Sequence, residues 1–218
     1  MARIKGKPLR NKWHKHKKPK TVDEQAGALG YIVWRLAQDA AINLHGEDFI
    51  YNDDTQRLDV IAELLAFMVH LVDRIAYQAM PQAHRDRLIN GLGIKVAGYM
   101  QDNRQDWQGP GDYKTPFVNL LNDRFGDYAD LTFNQDGPGY SLLRFLGHAV
   151  QKLMGPGHQN KWVIDQIMDI EAPELYKRLR ASMDSLLATG EIDLTPPAQT
   201  ELEDHRPEVG KDGVIGPD

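Results

Sequence analysis

The run from Leu58 to Ala79 contains the most apolar stretch of this 218-residue chain. On a helical wheel at 100° per residue its apolar side chains cover about 200°, wider than the stripe of an ordinary surface helix. Polar side chains are confined to one edge, the polar strip: Asp59, Glu63, His70, Asp73 and Arg74. The pattern predicts a central helix packed on several sides, with Asp54 as its N-cap and its end at Met80-Pro81.

Apolar residues recur at helical spacing on both sides of this run, and no stretch alternates strictly enough to predict a strand. A capping box at Thr21 and Glu24 begins the first helix, which should end near Gly46 in a left-handed cap. The other predicted helices run from Pro81 to about Asn103, from Thr115-Pro116 to about Gly126, from Gly139 or Ser141 to Met154, over Trp162–Met168, and from Pro173 to about Ala188. Residues 104–113 and 127–139 are predicted loops. The fold class is therefore all-α, an irregular bundle of six or seven helices around the central helix.

Charge divides the chain into three parts. Residues 1–20 carry nine Lys or Arg and no acid, residues 21–188 sum to −8, and residues 189–218 to −6. The ends lack a periodic apolar pattern, so we expect a disordered basic arm at 1–20, one helical domain at 21–190, and a disordered acidic, proline-containing tail at 191–218. Gly190 should terminate the last helix.

Several classes of protein are disfavoured by composition. The chain has no cysteine, which removes disulfides, thiolate metal sites and cysteine nucleophiles. No apolar run is long enough for a transmembrane helix, and the N-terminus lacks the apolar core of a secretory signal. A cytoplasmic location is the expectation that follows. Neither a P-loop nor a dinucleotide-binding glycine pattern is present, so no cofactor is predicted.

Three members of the polar strip form the best candidate metal site. Glu63 and His70 lie seven residues apart on one helical face, and Asp73 lies one turn beyond. Carboxylate and imidazole ligands on facing helices hold metals in di-iron bundles, but the Glu-x-x-His repeat of those bundles is missing. The polar strip can also pair with a basic ridge on the fifth helix, formed by Arg144, His148 and Lys152, or both can face water. A structural edge is the favoured interpretation.

The basic arm provides a second candidate site. Its cations can contact the phosphates of a nucleic acid, with Trp13 available to stack on a base. The candidate polyanion-binding residues are Lys12, Lys15, Lys17, Lys18 and Lys20. The alternative is a solvated tail that contacts nothing.

No motif in the sequence defines an activity. The leading hypothesis is a non-enzymatic helical interaction or adaptor protein with an unidentified protein partner, and the apolar inventory would also support a homodimer. The first alternative is a nucleic-acid-associated protein that binds through residues 1–20. The second is a metal-dependent enzyme that uses Glu63, His70 and Asp73.

Overall fold

A computed structural model describes residues 21–155 and 157–188 of the chain. The predicted arm, with Lys12, Lys15, Lys17, Lys18 and Lys20, and the predicted tail at 191–218 lie outside the described residues, as does the predicted stop at Gly190. The helices are α1 (Val22–Gly46), α2 (Asp54–Ala79), α3 (Gln82–Gln108), α4 (Lys114–Ala129), α5 (Tyr140–Met154), α6 (Val163–Gln166) and α7 (Ala172–Ala188). The predicted all-α bundle is confirmed.

Helix α2 lies at the centre of the bundle, as its wide apolar face predicted. It contacts α1, α3, α4, α5 and α7. Its side chains from Val60 to Val72 are buried without interruption, including Glu63 and His70 of the polar strip. Asp53, not Asp54, is the N-cap: its carboxylate accepts a hydrogen bond from the Gln56 backbone N–H at 2.8 Å. The predicted end at Met80-Pro81 is confirmed.

Helices α1 and α3 pack in parallel through small residues. Contacts join Asp23 to Arg87, Gly30 to Lys95, and Trp34 to Tyr99. Residue numbers therefore increase in the same direction along both helices. A Cβ on Gly30 would lie 2.9 Å from the Lys95 Cβ, which shows how closely the two backbones approach. Helix α2 runs antiparallel to α3, as the pairs of Asp59 with Arg104 and of Asp73 with Arg85 show.

Several predicted helix ends were wrong. Helix α1 ends at Gly46 as predicted, but the left-handed cap does not form there, and the positive φ of 66° belongs to Asp48. Helix α3 continues past Asn103 to Gln108 and stops at Gly109, whose φ of 87° favours glycine. Helix α4 starts at Lys114 and continues past Gly126 to Ala129. The capping box at Thr21 is confirmed.

The segment 127–139, predicted to be irregular, contains a short antiparallel hairpin. Strand β1 (Phe133–Asn134) pairs with strand β2 (Gly137–Pro138). The turn requires glycine at position 137, because its φ is 126° and a Cβ there would lie 2.5 Å from the Tyr176 ring on α7. A two-residue strand carries too few side chains for alternation to be visible in the sequence.

Helices α6 and α7 form one continuous rod rather than two separate helices. A π-helical turn, Ile167–Glu171, joins them and places Pro173 inside the rod, not at its start. Proline cannot donate the backbone hydrogen bond of a regular helix, which explains the irregular turn that precedes it. The extra residue keeps Ile167 and Ala172 both fully buried at a spacing of five.

Candidate functional site

The carboxylates of the polar strip are bound by arginines from two neighbouring helices. Asp59 pairs with Arg104 of α3, Asp73 pairs with Arg85 of α3 at 3.0 Å, and Glu63 pairs with Arg124 of α4. Of the two alternatives for the basic ridge, contact with the polar strip is therefore not formed, and the ridge faces water. Arg144, His148 and Lys152 are exposed, and the Arg144 Nε–H donates to His148 Nε2 at 3.3 Å.

The pair of Glu63 and Arg124 is the most buried of these. The Arg124 Nε and Nη2 groups donate to the two Glu63 carboxylate oxygens at 2.7 and 2.6 Å, in the bidentate geometry that binds most strongly. Arg124 also donates to Asp127 at 2.7 Å, and its guanidinium lies over the Phe145 ring. The hydrogen bond to Glu63 is the main cause that raises the pKa of Arg124 above its ordinary value.

His70 lies beside this pair in apolar surroundings. Its ring contacts Phe125 and Tyr128 of α4, with ring centroids 5.7 and 5.2 Å apart. Within the described residues neither ring nitrogen has a hydrogen-bond partner, and the same holds for the Tyr128 hydroxyl. Burial, assisted by the charge of Arg74, lowers the pKa of His70 to about 4, so the ring is neutral at pH 7. Burial also raises the pKa of Tyr128.

The three candidate metal ligands have separate surroundings. Both carboxylate oxygens of Glu63 bind Arg124, Asp73 binds Arg85, and His70 contacts aromatic rings. Over residues 21–155 and 157–188, no group of three or more His, Cys, Asp or Glu side chains has the arrangement of a metal site. In the described geometry these residues stabilise the packing of the helices, and each carboxylate is paired with an arginine.

An open cleft lies beside the polar strip, and sequence reasoning missed it. It has a volume of about 630 Å³ and lies among α2, α3 and α4, with one wall from α5. Its apolar walls are Ala62, Pro116, Phe117, Leu120 and Leu153. Its polar rim is Thr55, Asp59, Arg104, Gln108, Asp112 and Tyr113. Glu63 also lines the cleft, with its carboxylate bound by Arg124. We call it the α2–α4 cleft.

Hydrogen bonds fix the rim of the α2–α4 cleft. Gln108 donates to the Thr55 hydroxyl at 2.9 Å, which joins the end of α3 to the start of α2. Asp112 accepts from the backbone N–H groups of Lys114 and Thr115, each at 3.1 Å, and so caps α4. The bonds to Thr115 are the main cause that lowers the pKa of Asp112, which keeps this carboxylate charged.

The fold and the cleft define an all-α protein with a preformed groove between three helices. No protein family, curated protein or solved structure matches the chain. Among the described residues, no helix combines the length and apolar character that crossing a membrane requires.

Proposed function

We propose that this chain is a non-enzymatic helical interaction protein that binds a protein partner in the α2–α4 cleft. The observation that carries the proposal is the cleft itself, an open groove of about 630 Å³ with apolar walls. Its charged groups lie at the rim, apart from the buried carboxylate of Glu63, which is paired with Arg124. Sites of this size accept the side chains of a bound helix or a small ligand. The lack of cysteine agrees with a cytoplasmic protein.

The rim favours a partner that carries basic residues beside an apolar anchor. Asp59 keeps 39% of its side chain exposed, whereas its partner Arg104 keeps only 15%. Asp112 is exposed and held in its charged form. The rim therefore presents mainly negative charge to a partner. An amphipathic helix fits this site if it inserts Leu, Phe or Trp against Leu120 and places Lys or Arg over the rim.

The carboxylates around the cleft already have structural tasks, which favours binding over catalysis. Asp59 and Glu63 are paired with arginines, and Asp112 caps α4. A general base or a metal ligand needs a carboxylate that is free to exchange its partner. Ion pairs and caps instead fix the shape of the groove before a partner arrives, which lowers the entropy cost of binding.

Two neighbouring residues of α4 provide a matched test. Leu120 lines the cleft, and Asn119 is exposed. We expect Leu120→Arg to lose its specific partner in quantitative affinity capture, while Asn119→Arg retains it with the same added charge. Circular dichroism checks that both variants are folded. If both variants recover the same partners in equal amounts, the cleft is not the binding site.

A second copy of the chain is another possible occupant, and the same variants distinguish it. Sedimentation of the wild type would then show a dimer, and Leu120→Arg would be a monomer while Asn119→Arg stays dimeric. A monomer in all three cases, together with loss of a captured protein in Leu120→Arg alone, identifies a heterologous partner.

A further inference from the structure

The exposed side of α5 carries aromatic and basic side chains in one row. Tyr140 extends the basic ridge by one turn, so Tyr140, Arg144, His148 and Lys152 follow one another at four-residue spacing. All four are exposed. At 1.5 Å per residue the row is about 18 Å long.

The cations of this row differ from the other arginines of the bundle. Most arginines in the described part of the chain have a carboxylate partner: Arg35, Arg57, Arg85, Arg87, Arg104, Arg124, Arg178 and Arg180. Arg144 instead contacts another base, His148. Lys152 and Lys161 have no ion pair with a described residue either. Arg144, Lys152 and Lys161 therefore have no ion pair with a described carboxylate.

The sequence around α5 explains this difference. Residues 137–164 contain three Lys or Arg and no acid, in a region 21–188 whose charge is −8. The other residues of 21–188 therefore sum to −11, so the basic surface lies on an acidic body. Such segregation attracts polyanions to one side of the molecule and repels them from the others.

A second element flanks the row. Gly147 of α5 lies against Ile164 of α6, where a Cβ on the glycine would be 3.0 Å from the Ile164 Cγ2. Lys161 and Trp162 directly precede α6, with the Lys161 Nζ 4.8 Å from the centre of the Trp162 ring. Trp162 is 62% exposed and Tyr140 is 66% exposed, so both rings are accessible to a ligand in solution.

We propose that the basic ridge, together with Tyr140, Lys161 and Trp162, binds single-stranded nucleic acid. Arg144, Lys152 and Lys161 contact phosphates, and the two exposed rings stack on bases. The row of about 18 Å spans about five phosphates at the 3.4 Å spacing of a stacked strand. The proposal is independent of the α2–α4 cleft, whose rim is acidic.

A membrane surface is the other polyanion to consider, and the packing of α5 disfavours it. Interfacial helices insert an apolar face into the lipid. The apolar face of α5 is already used in the core, where Leu142, Leu146 and Val150 are fully buried. The exposed side offers charges and isolated aromatic rings, which suit phosphates and bases.

The test uses the full chain and a fluorescein-labelled 20-nucleotide oligothymidine, with binding followed by fluorescence anisotropy. The ridge variant carries Arg144→Gln, Lys152→Gln and Lys161→Gln. The control carries Lys177→Gln, Arg178→Gln and Arg180→Gln on α7, so both lose the same charge. We expect the ridge variant to bind more than about tenfold more weakly at 50 mM salt and its salt slope to fall by about 2, at about 0.7 per phosphate. The control should match the wild type.

Tyr140→Ala with Trp162→Ala tests stacking, since it should weaken binding at every salt concentration without changing the slope. The proposal is overturned if the wild type does not bind at 50 mM salt, or if the ridge and control variants bind alike. It is also overturned if deletion of residues 2–20 abolishes binding while the ridge variant binds normally. Loss of binding to phosphatidylserine vesicles, with oligothymidine affinity unchanged, would assign the ridge to membranes instead.

Discussion

The pair of Arg124 and Glu63 provides the most direct test of how the core is held together. Arg124→Met removes the guanidinium but keeps an unbranched stem over Phe145. The Glu63 side chain is only 5% exposed, so the variant leaves a carboxylate in the core without its cation. We expect a large loss in the free energy of unfolding, since breaking a buried pair from one side costs about 3–5 kcal/mol.

The exposure of Arg124 places the effect at the lower end of that range. Its side chain is 21% exposed, so water can approach Glu63 once the guanidinium is gone. Two charge-assisted hydrogen bonds to Glu63 are lost, each typically worth about 1.5–3 kcal/mol. The third, to Asp127, is solvent-exposed and contributes little. We therefore expect a loss of about 3 kcal/mol, a large part of the 5–15 kcal/mol that stabilises an ordinary domain.

Urea unfolding at pH 7 measures the change, and Arg180→Met is the matched control. Arg180 pairs with Asp184 on the surface of α7, with exposed fractions of 42% and 57%, so its loss should cost less than about 1 kcal/mol. Combining Arg124→Met with Glu63→Gln should recover about 2 kcal/mol relative to the sum of the single changes. The buried pair does not stabilise the core as argued if Arg124→Met and Arg180→Met lose the same free energy of unfolding, or if the coupling energy is below about 0.5 kcal/mol.

Four further substitutions test other features. His70 is neutral when folded, with a pKa of about 4, against about 6.5 when unfolded, so the unfolded state binds the proton first as the pH falls. The wild type should lose about 2 kcal/mol between pH 7.5 and pH 5, and His70→Leu should lack this loss in urea titrations. Gly137→Ala should destabilise by about 2 kcal/mol in thermal unfolding, because φ is 126° and the new Cβ would lie 2.5 Å from Tyr176. Gly27→Ala, with open space around it, should instead stabilise by about 0.5–1 kcal/mol. Asp53→Ala should cost about 1 kcal/mol by removing the N-cap of α2, and no loss in urea unfolding would contradict that role.

The position of α2 was predictable because the pattern that defines it lies within its own sequence. The width of the apolar face appears in the order of residues alone, and the helix ends within one residue of the expected bounds. The choice between Asp53 and Asp54 was not predictable from residue type, since both side chains can cap. The extended backbone of Asp53, with φ of −157° and ψ of 177°, decides it.

The partners of the polar strip could not be predicted because they depend on how the helices align. Asp59 and Arg104 are 45 residues apart, and their contact requires the antiparallel packing of α2 and α3. Arg104 was also missed as a helical residue, because residues 104–113 were expected to be a loop. Gly109-Pro110 was the available stop signal, and giving it more weight would have placed Arg104 on the helix.

The parallel packing of α1 against α3 also determines when the chain can fold during synthesis. About sixty residues separate the end of α1 from the end of α3, which is about 3–12 s of translation at 5–20 residues per second. During that interval the side of α1 at Ala26 and Gly30 lacks its cover. Helix α7, which pairs Arg178 with Asp39 of α1, is made later still. The nascent chain therefore exposes this apolar surface until α7, the last helix in the described part of the chain, has been made.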